Sequence, residues 1–201
     1  MESCYEIGAL SFHAGGNAAG VSRHNRGPVP AGVYHVWRRT AGPVLMFRDD
    51  IDRTYFCNRL RVVIERFGWT VVAFVLMPTH FHLILEVDDD VLQPGMHALF
   101  GPYAQTFNRR HGRSGHLRAA PYKLRSILDE PDLMSTGRYV ARNPVEDNLC
   151  TSAAEWYWSS YLGSAGLDTP FAFVDDTILL ASYHADRLRA MRELRMFVDA
   201  V

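Results

Sequence analysis

His80 and His82 sit in a strand-like run, with one residue between them, directly after a Met77-Pro78-Thr79 corner. Strand side chains alternate between faces, so the two imidazoles point the same way and Phe81 points the other. Their Cα atoms are expected roughly 6.5–7 Å apart, close enough for both rings to grip one cation. A polar group left without a partner in such an apolar run costs about 1–3 kcal/mol. Either a cation or backbone carbonyls must therefore satisfy the pair. A second pair lies farther on, where Tyr139 and Asn143 are four residues apart and share a face if their segment is helical. Two imidazoles beside a phenol and a carboxamide form a rational phosphodiester site. His80, His82 and the Asn143 oxygen would hold a divalent ion. Mixed nitrogen and oxygen donors suit Mg2+ or Mn2+, with zinc not excluded by ligand type. The ion would polarise the phosphate and the phenol would attack. Each residue also has an ordinary reading: Tyr139 as a half-buried helix residue, and Asn143 before Pro144 as a helix end.

Val71–Leu76 and His80–Val87, rich in β-branched and aromatic residues, read as an antiparallel strand pair around that corner. Gly32–Arg39 alternates apolar and polar residues as a first strand, and Val44–Phe47 extends the pairing. Asp49-Asp50 offers an N-cap to a helix carrying Ile51, Tyr55, Phe56, Leu60, Val63, Ile64 and Phe67 and ending near Gly68. A second helix fits Met96–Arg110, a further strand Pro121–Leu128, and a third helix starts at Glu130-Pro131-Asp132 and stops before Pro144. Strand–helix–strand–strand–helix–strand is the split βαβ, ferredoxin-like order, an α+β class with helices on an antiparallel sheet. Residues 1–30 read as a flexible basic arm, 31–165 as the catalytic domain and 166–201 as an acidic helical extension with one final helical region from Asp175. Gly137, two residues before Tyr139, serves either a hinge or close packing against the sheet.

The chain has 201 residues, 48% hydrophobic, with a formal net charge of -1. That balance hides a split, because the part up to Ile127 is net basic and the remainder net acidic. Between Asp90 and Asp129 no acid occurs, while Arg109, Arg110, Arg113, Arg118, Lys123 and Arg125 do, an anion-facing pattern. Three scattered cysteines indicate neither a disulfide framework nor a zinc cluster, and fit a reducing cytoplasm. No apolar run reaches the ~18 residues of a membrane span.

Leu76-Met77-Pro78-Thr79-His80-Phe81-His82-Leu83 resembles the signature of the HUH single-tyrosine transposases, in particular the REP-associated tyrosine transposases of bacteria. Tyr34-His35-Val36 with Phe47-Arg48-Asp49-Asp50, Tyr103–Gly112, Gly115-His116-Leu117 with Tyr122-Lys123, Arg138–Val145 and Trp158–Tyr161 resemble that family's other blocks, in its order. The resemblance spans about 33–165. It implies that His80 and His82 bind the metal, that Asn143 occupies the third ligand position and that Tyr139 is the nucleophile. It also implies cleavage of single-stranded or hairpin DNA through a 5′-phosphotyrosine, with the bond energy kept for rejoining. Arg38, Arg39, Arg109, Arg110, Arg113, His116, Arg118, Lys123 and Arg125 are then the expected DNA contacts, in a cytoplasmic monomer or homodimer with no membrane partner. Two departures stand out: Thr79 at the corner, and Arg118-Ala119-Ala120-Pro121 where the family carries an aromatic-Gln-Gly/Pro-Arg block. The second leaves open a non-cleaving hairpin-DNA binder or repressor, and an RNA-processing protein on the same scaffold is a weaker third reading.

Overall fold

In the computed structural model, residues 28–42, 44–115, 117, 119–169 and 171–200 are described. Strand β1 (Gly32–Arg39) leads into helix α1 (Asp50–Phe67), then β2 (Thr70–Leu76), β3 (His80–Val87), α2 (Leu92–Arg110) and β4 (Lys123–Ser126). The four strands form one antiparallel sheet in the order β2-β3-β1-β4, the split βαβ arrangement expected from the sequence. Asp49 caps α1 by accepting the Asp52 N–H at 3.1 Å, and Gly68 ends it at φ 65, a left-handed conformation that favours glycine.

The sheet is covered on both faces. On one, α1 and α2 bury Tyr34, Val36, Phe56, Leu60, Phe81, Leu83 and Tyr103 in an aromatic core. On the other, α3 (Glu130–Glu146) lies against β2 and β3, burying Leu133 and Val140 on Val33, Ala73, Val75 and Ile84. Asp129 caps α3 through the Asp132 N–H at 2.8 Å, with Pro131 in the first turn where its missing N–H costs nothing. Behind α3 come a 3-10 turn (Ala153–Glu155), α4 (Tyr161–Ser164), α5 (Thr177–Ala181) and α6 (Arg187–Asp199).

Several sequence expectations are corrected. Val44–Phe47 is not a strand; it crosses the Met-Pro-Thr corner, where the Met46 and Phe47 N–H groups both donate to the Pro78 carbonyl. Helix α2 starts at Leu92 because Pro94 fits the first turn. Strand β4 is only four residues long. Helix α3 runs through Pro144 to Glu146. The proline forfeits one ladder bond, but the Asp147 N–H donates to Asn143 O at 3.0 Å and the Leu149 N–H to Pro144 O at 2.9 Å, which closes the last turn. The C-terminal region is two helices, because Asp186 caps a new one by accepting the Arg189 N–H at 2.9 Å. Gly137 is a packing glycine, and its neighbour is Leu179 of α5 rather than the sheet: a Cβ there would sit 2.9 Å from Leu179 Cδ1.

The expected arm falls largely outside the described residues, but its last part is held. Val29 donates its N–H to Asp90 Oδ1 at 3.0 Å and is buried. The C-terminal extension packs behind α3: Leu180, Ala190, Leu194 and Val198 pack with Ala141 and Tyr161. Arg138 also donates to the Phe197 and Ala200 carbonyls, and Arg142 to Val198 O at 2.8 Å.

Candidate active site

Strand register decides which side chains meet. Trp37 lies opposite His82 and Arg39 opposite His80 across β1–β3, while His35 lies opposite Arg125 across β1–β4. Directly paired residues share a face, so His80, His82, His35, Trp37, Arg39, Lys123 and Arg125 all belong to the face that α3 covers. Helix α3 answers with a polar stripe. Asp132, Thr136, Tyr139 and Asn143 recur at helical spacing, beside the apolar row that packs on β2 and β3.

The two sets interlock. His80 Nε2 meets Asn143 Oδ1 at 2.8 Å, and His80 Nδ1 meets Thr79 Oγ1 at 3.1 Å. His82 Nδ1 meets His35 Nε2 at 2.8 Å. The Tyr139 ring stands edge-on to His82, with centroids 5.3 Å apart, and 5.9 Å from His35. Arg125 makes a two-pronged pair with Asp132 at 2.7 and 2.9 Å, and donates to Thr136 Oγ1 at 2.7 Å. An open cleft of about 370 Å³ lies between these parts, lined by His35, Trp37, His82, Tyr139, Arg125 and Thr136.

Exposure separates the players. His80, His82 and Asn143 are 4, 3 and 4% exposed, whereas Tyr139 is 42% exposed. Burial holds the His82 pKa down to about 2, helped by the neighbouring His35 and His80, and holds that of His35 down to about 4, helped by Arg125. Burial lowers that of His80 as well, against the pull of its Asn143 bond. The three rings are thus neutral near pH 7, the form in which an imidazole nitrogen donates a lone pair to a metal. The Arg125 bond holds the Asp132 carboxyl below its ordinary range.

Among the described residues, no group of three or more His, Cys, Asp and Glu side chains is arranged to hold a metal ion. A set of two imidazoles and one carboxamide is a different donor class, and the His80–Asn143 spacing within it is compatible with two adjacent ligands. Adjacent ligands of an octahedral ion with bonds of about 2.05 Å stand about 2.9 Å apart, and His80 Nε2 and Asn143 Oδ1 are 2.8 Å apart. With Nδ1 engaged by His35, Nε2 is the His82 nitrogen that could reach a metal ion.

The expected DNA contacts divide. Arg39, Lys123 and Arg125 lie on the α3 face near the site, and Arg39 and Lys123 are exposed. Arg38 lies on the other face, with its guanidinium 3.6 Å from the centre of the Phe100 ring. Arg109 is exposed at the end of α2, and Arg113 is half-buried just beyond it. Arg110 is held by Asp49 and Asp52 at 2.6 Å each, so a structural ion pair already answers its charge. His116 and Arg118 lie outside the described residues.

Sequence reasoning singled out neither His35, Trp37, Asp132 nor Thr136 for the site. The signal for the last two was present in the 4-3-4 spacing of Asp132, Thr136, Tyr139 and Asn143. His35 and Trp37 needed the β1–β3 register, which no local pattern carries.

No family model matches this chain, and no curated protein matches it. Among solved structures it is similar to a REP-associated tyrosine transposase bound to a REP hairpin, with a TM-score of 0.59 and 16% sequence identity over 77% of this chain and 98% of that one. A protein from Deinococcus radiodurans R1, provisionally named a transposase, aligns over 64% of this chain and 95% of its own at 19% identity, with a TM-score of 0.38 too low to argue from. The first likeness shows that the chain shares the fold of such a transposase, as the sequence resemblance implied. No helix among the described residues is long and apolar enough to cross a membrane.

Proposed function

We propose that this protein nicks and rejoins single-stranded DNA at hairpin repeats, with Tyr139 as the nucleophile. The observation that carries this reading is the meeting, within one chain, of an accessible phenol with a buried His80–Asn143 and His82–His35 array. A hydrolase using activated water would have no need of an exposed tyrosine beside its metal ligands. The solved relative's hairpin complex supports DNA of that form as the substrate class.

In the reaction, the Tyr139 oxygen attacks the scissile phosphorus, the bond to O3′ breaks, and the DNA 5′ end becomes a phosphotyrosine. The phenolic proton passes to solvent, to which Tyr139 is open, and the departing O3′ acquires one. Attack by another 3′-hydroxyl reverses the step without nucleotide or water. His80, His82 and Asn143 would hold a divalent cation, Mg2+ or Mn2+, which would supply polarisation of the phosphate and stabilisation of the leaving oxygen. Trp37, which lines the cleft, offers a ring on which a neighbouring base would stack, an interaction worth about 1–3 kcal/mol per base. Arg39 and Lys123 supply cations to the DNA backbone on the same face. The Tyr139 ring lies beside its own chain's His82, which supports use of the nucleophile within one chain.

The test is incubation with single-stranded hairpin DNA and Mn2+, followed by denaturing electrophoresis. A covalent protein–DNA adduct is expected from the native protein, and none from Tyr139→Phe, which should still bind the hairpin. Binding without any adduct in the native protein would establish the non-cleaving DNA binder instead.

A further inference from the structure

We infer that His35 is a positioning residue for the metal centre: its Nε2 selects the tautomer and ring orientation of His82. The inference rests on the reading of His80, His82 and Asn143 as metal ligands.

The argument begins with a count of protons. A hydrogen bond between two imidazole nitrogens needs one N–H and one lone pair, and His35 Nε2 and His82 Nδ1 are 2.8 Å apart. Two arrangements satisfy it. In one, His82 carries its proton on Nδ1 and donates to His35, leaving the His82 Nε2 lone pair open. In the other, His35 Nε2–H donates to His82 Nδ1, and His82 carries its own proton on Nε2, where no cation can bind. Only the first is compatible with metal ligation, so cation binding and the His35 acceptor reinforce each other. The same logic makes the outer partner of a metal-bound histidine worth 10–100-fold in affinity.

The geometry leaves His82 little freedom to find another acceptor. Both side chains are buried, His35 at 6% exposure and His82 at 3%. Their rings lie nearly parallel, 22° apart with centroids at 5.0 Å, and Trp37 stacks on His35 at 4.7 Å. His35 is thus held between the Trp37 and His82 rings. Trp37 is also the cross-strand partner of His82, with ring centroids 6.4 Å apart. His80 has a separate arrangement, with Thr79 Oγ1 at its Nδ1. Each ligand histidine therefore has its own outer partner, one hydroxyl and one imidazole.

The full-length protein, without DNA, is titrated with Mn2+ while the free ion is followed by electron paramagnetic resonance. His35→Phe keeps a flat ring but removes the acceptor; its affinity is expected to fall 10–100-fold. His35→Gln, whose Oε1 can accept the Nδ1 proton, is expected to lose less than tenfold. His80→Ala removes a ligand and serves as the control. In the Mg2+-loaded native protein, nitrogen-15 NMR is expected to place the His82 proton on Nδ1, a readout that needs no variant to fold. A His82 proton on Nε2 would overturn the inference, as would native Mn2+ affinity in His35→Phe while His80→Ala loses binding. Absence of Mn2+ binding by the native protein would overturn the metal centre itself, and the inference with it.

Discussion

The two faces of the sheet are built from the same strands to opposite ends. From β1 and β3, the face under α1 and α2 receives Tyr34, Val36, Phe81, Leu83 and Leu85. The face under α3 receives Val33, His35, Trp37, His80, His82 and Ile84. On the first face few polar groups are buried: Asp52, 2% exposed at its side chain, is held by Arg110 and His111, and the Tyr103 hydroxyl donates to the Met46 carbonyl. On the second, three imidazoles and a carboxamide are buried between the sheet and α3. Each buried aromatic contributes about 1.5–3 kcal/mol by leaving water, and each imperfectly satisfied buried polar group costs about 1–3 kcal/mol. One face can therefore tolerate a site because the other is a predominantly apolar, aromatic core, and because Leu133, Val140 and Leu179 flank the polar stripe.

Adjacent residues of β3 separate the faces most sharply. Phe81→Ala, on the core face, should destabilise the protein by about 3–5 kcal/mol in urea unfolding. His80→Ala should cost about 1–3 kcal/mol, chiefly by leaving Asn143 unpaired, yet should abolish divalent-ion-dependent cleavage. Tyr139→Phe should change stability by less than about 0.5 kcal/mol while eliminating the covalent adduct. Equal stability losses at Phe81 and Tyr139 would erase the distinction between a supporting face and a working one.

A smaller effect tests how α3 is held. Gly137→Ala should gain less than the about 1 kcal/mol that helix propensity alone would give, because its Cβ meets the tip of the Leu179 side chain, which must give way. In a Leu179→Ala background the same change should recover the full gain. An effect that stays the same in both backgrounds would remove Leu179 as the cause.

The smallest effect is acid sensitivity at two ion pairs on opposite faces. Asp49 is pulled to about 2, mainly by its Arg110 hydrogen bonds, and Arg125 lowers Asp132 in the same direction. A carboxylate with a lowered folded pKa binds its proton more weakly in the native state, so the stability it contributes is present above the unfolded pKa near 4. That contribution is lost as the pH falls toward the folded value. Both groups are partly solvated, so the change should stay below about 1 kcal/mol per pair. Urea midpoints measured between pH 5 and 2 should decline, with a shallower slope in Asp49→Asn. A native slope matched by that variant would show that the Arg110 pair contributes nothing.

Local periodicity made much of this molecule legible in advance. The period of two placed His80 and His82 on one face, and the i, i+4 rule did the same for Tyr139 and Asn143. Asp49 and Gly68 marked the ends of α1 because capping is written in one or two residues. The alternation of strands and helices then left few arrangements of the sheet. What the sequence by itself did not determine was which partners cross the layers. His35 meets His82 across 47 residues and His80 meets Asn143 across 63. Such meetings depend on register and on which face α3 covers, and they are settled by how whole elements bury their apolar rows. The same packing carried α3 through Pro144, divided the C-terminal region into two helices, and paired Arg110 with Asp49 and Asp52. Tertiary structure decided these points because their energies come from distant neighbours, whereas local patterns record only the preferences of residues a few positions apart.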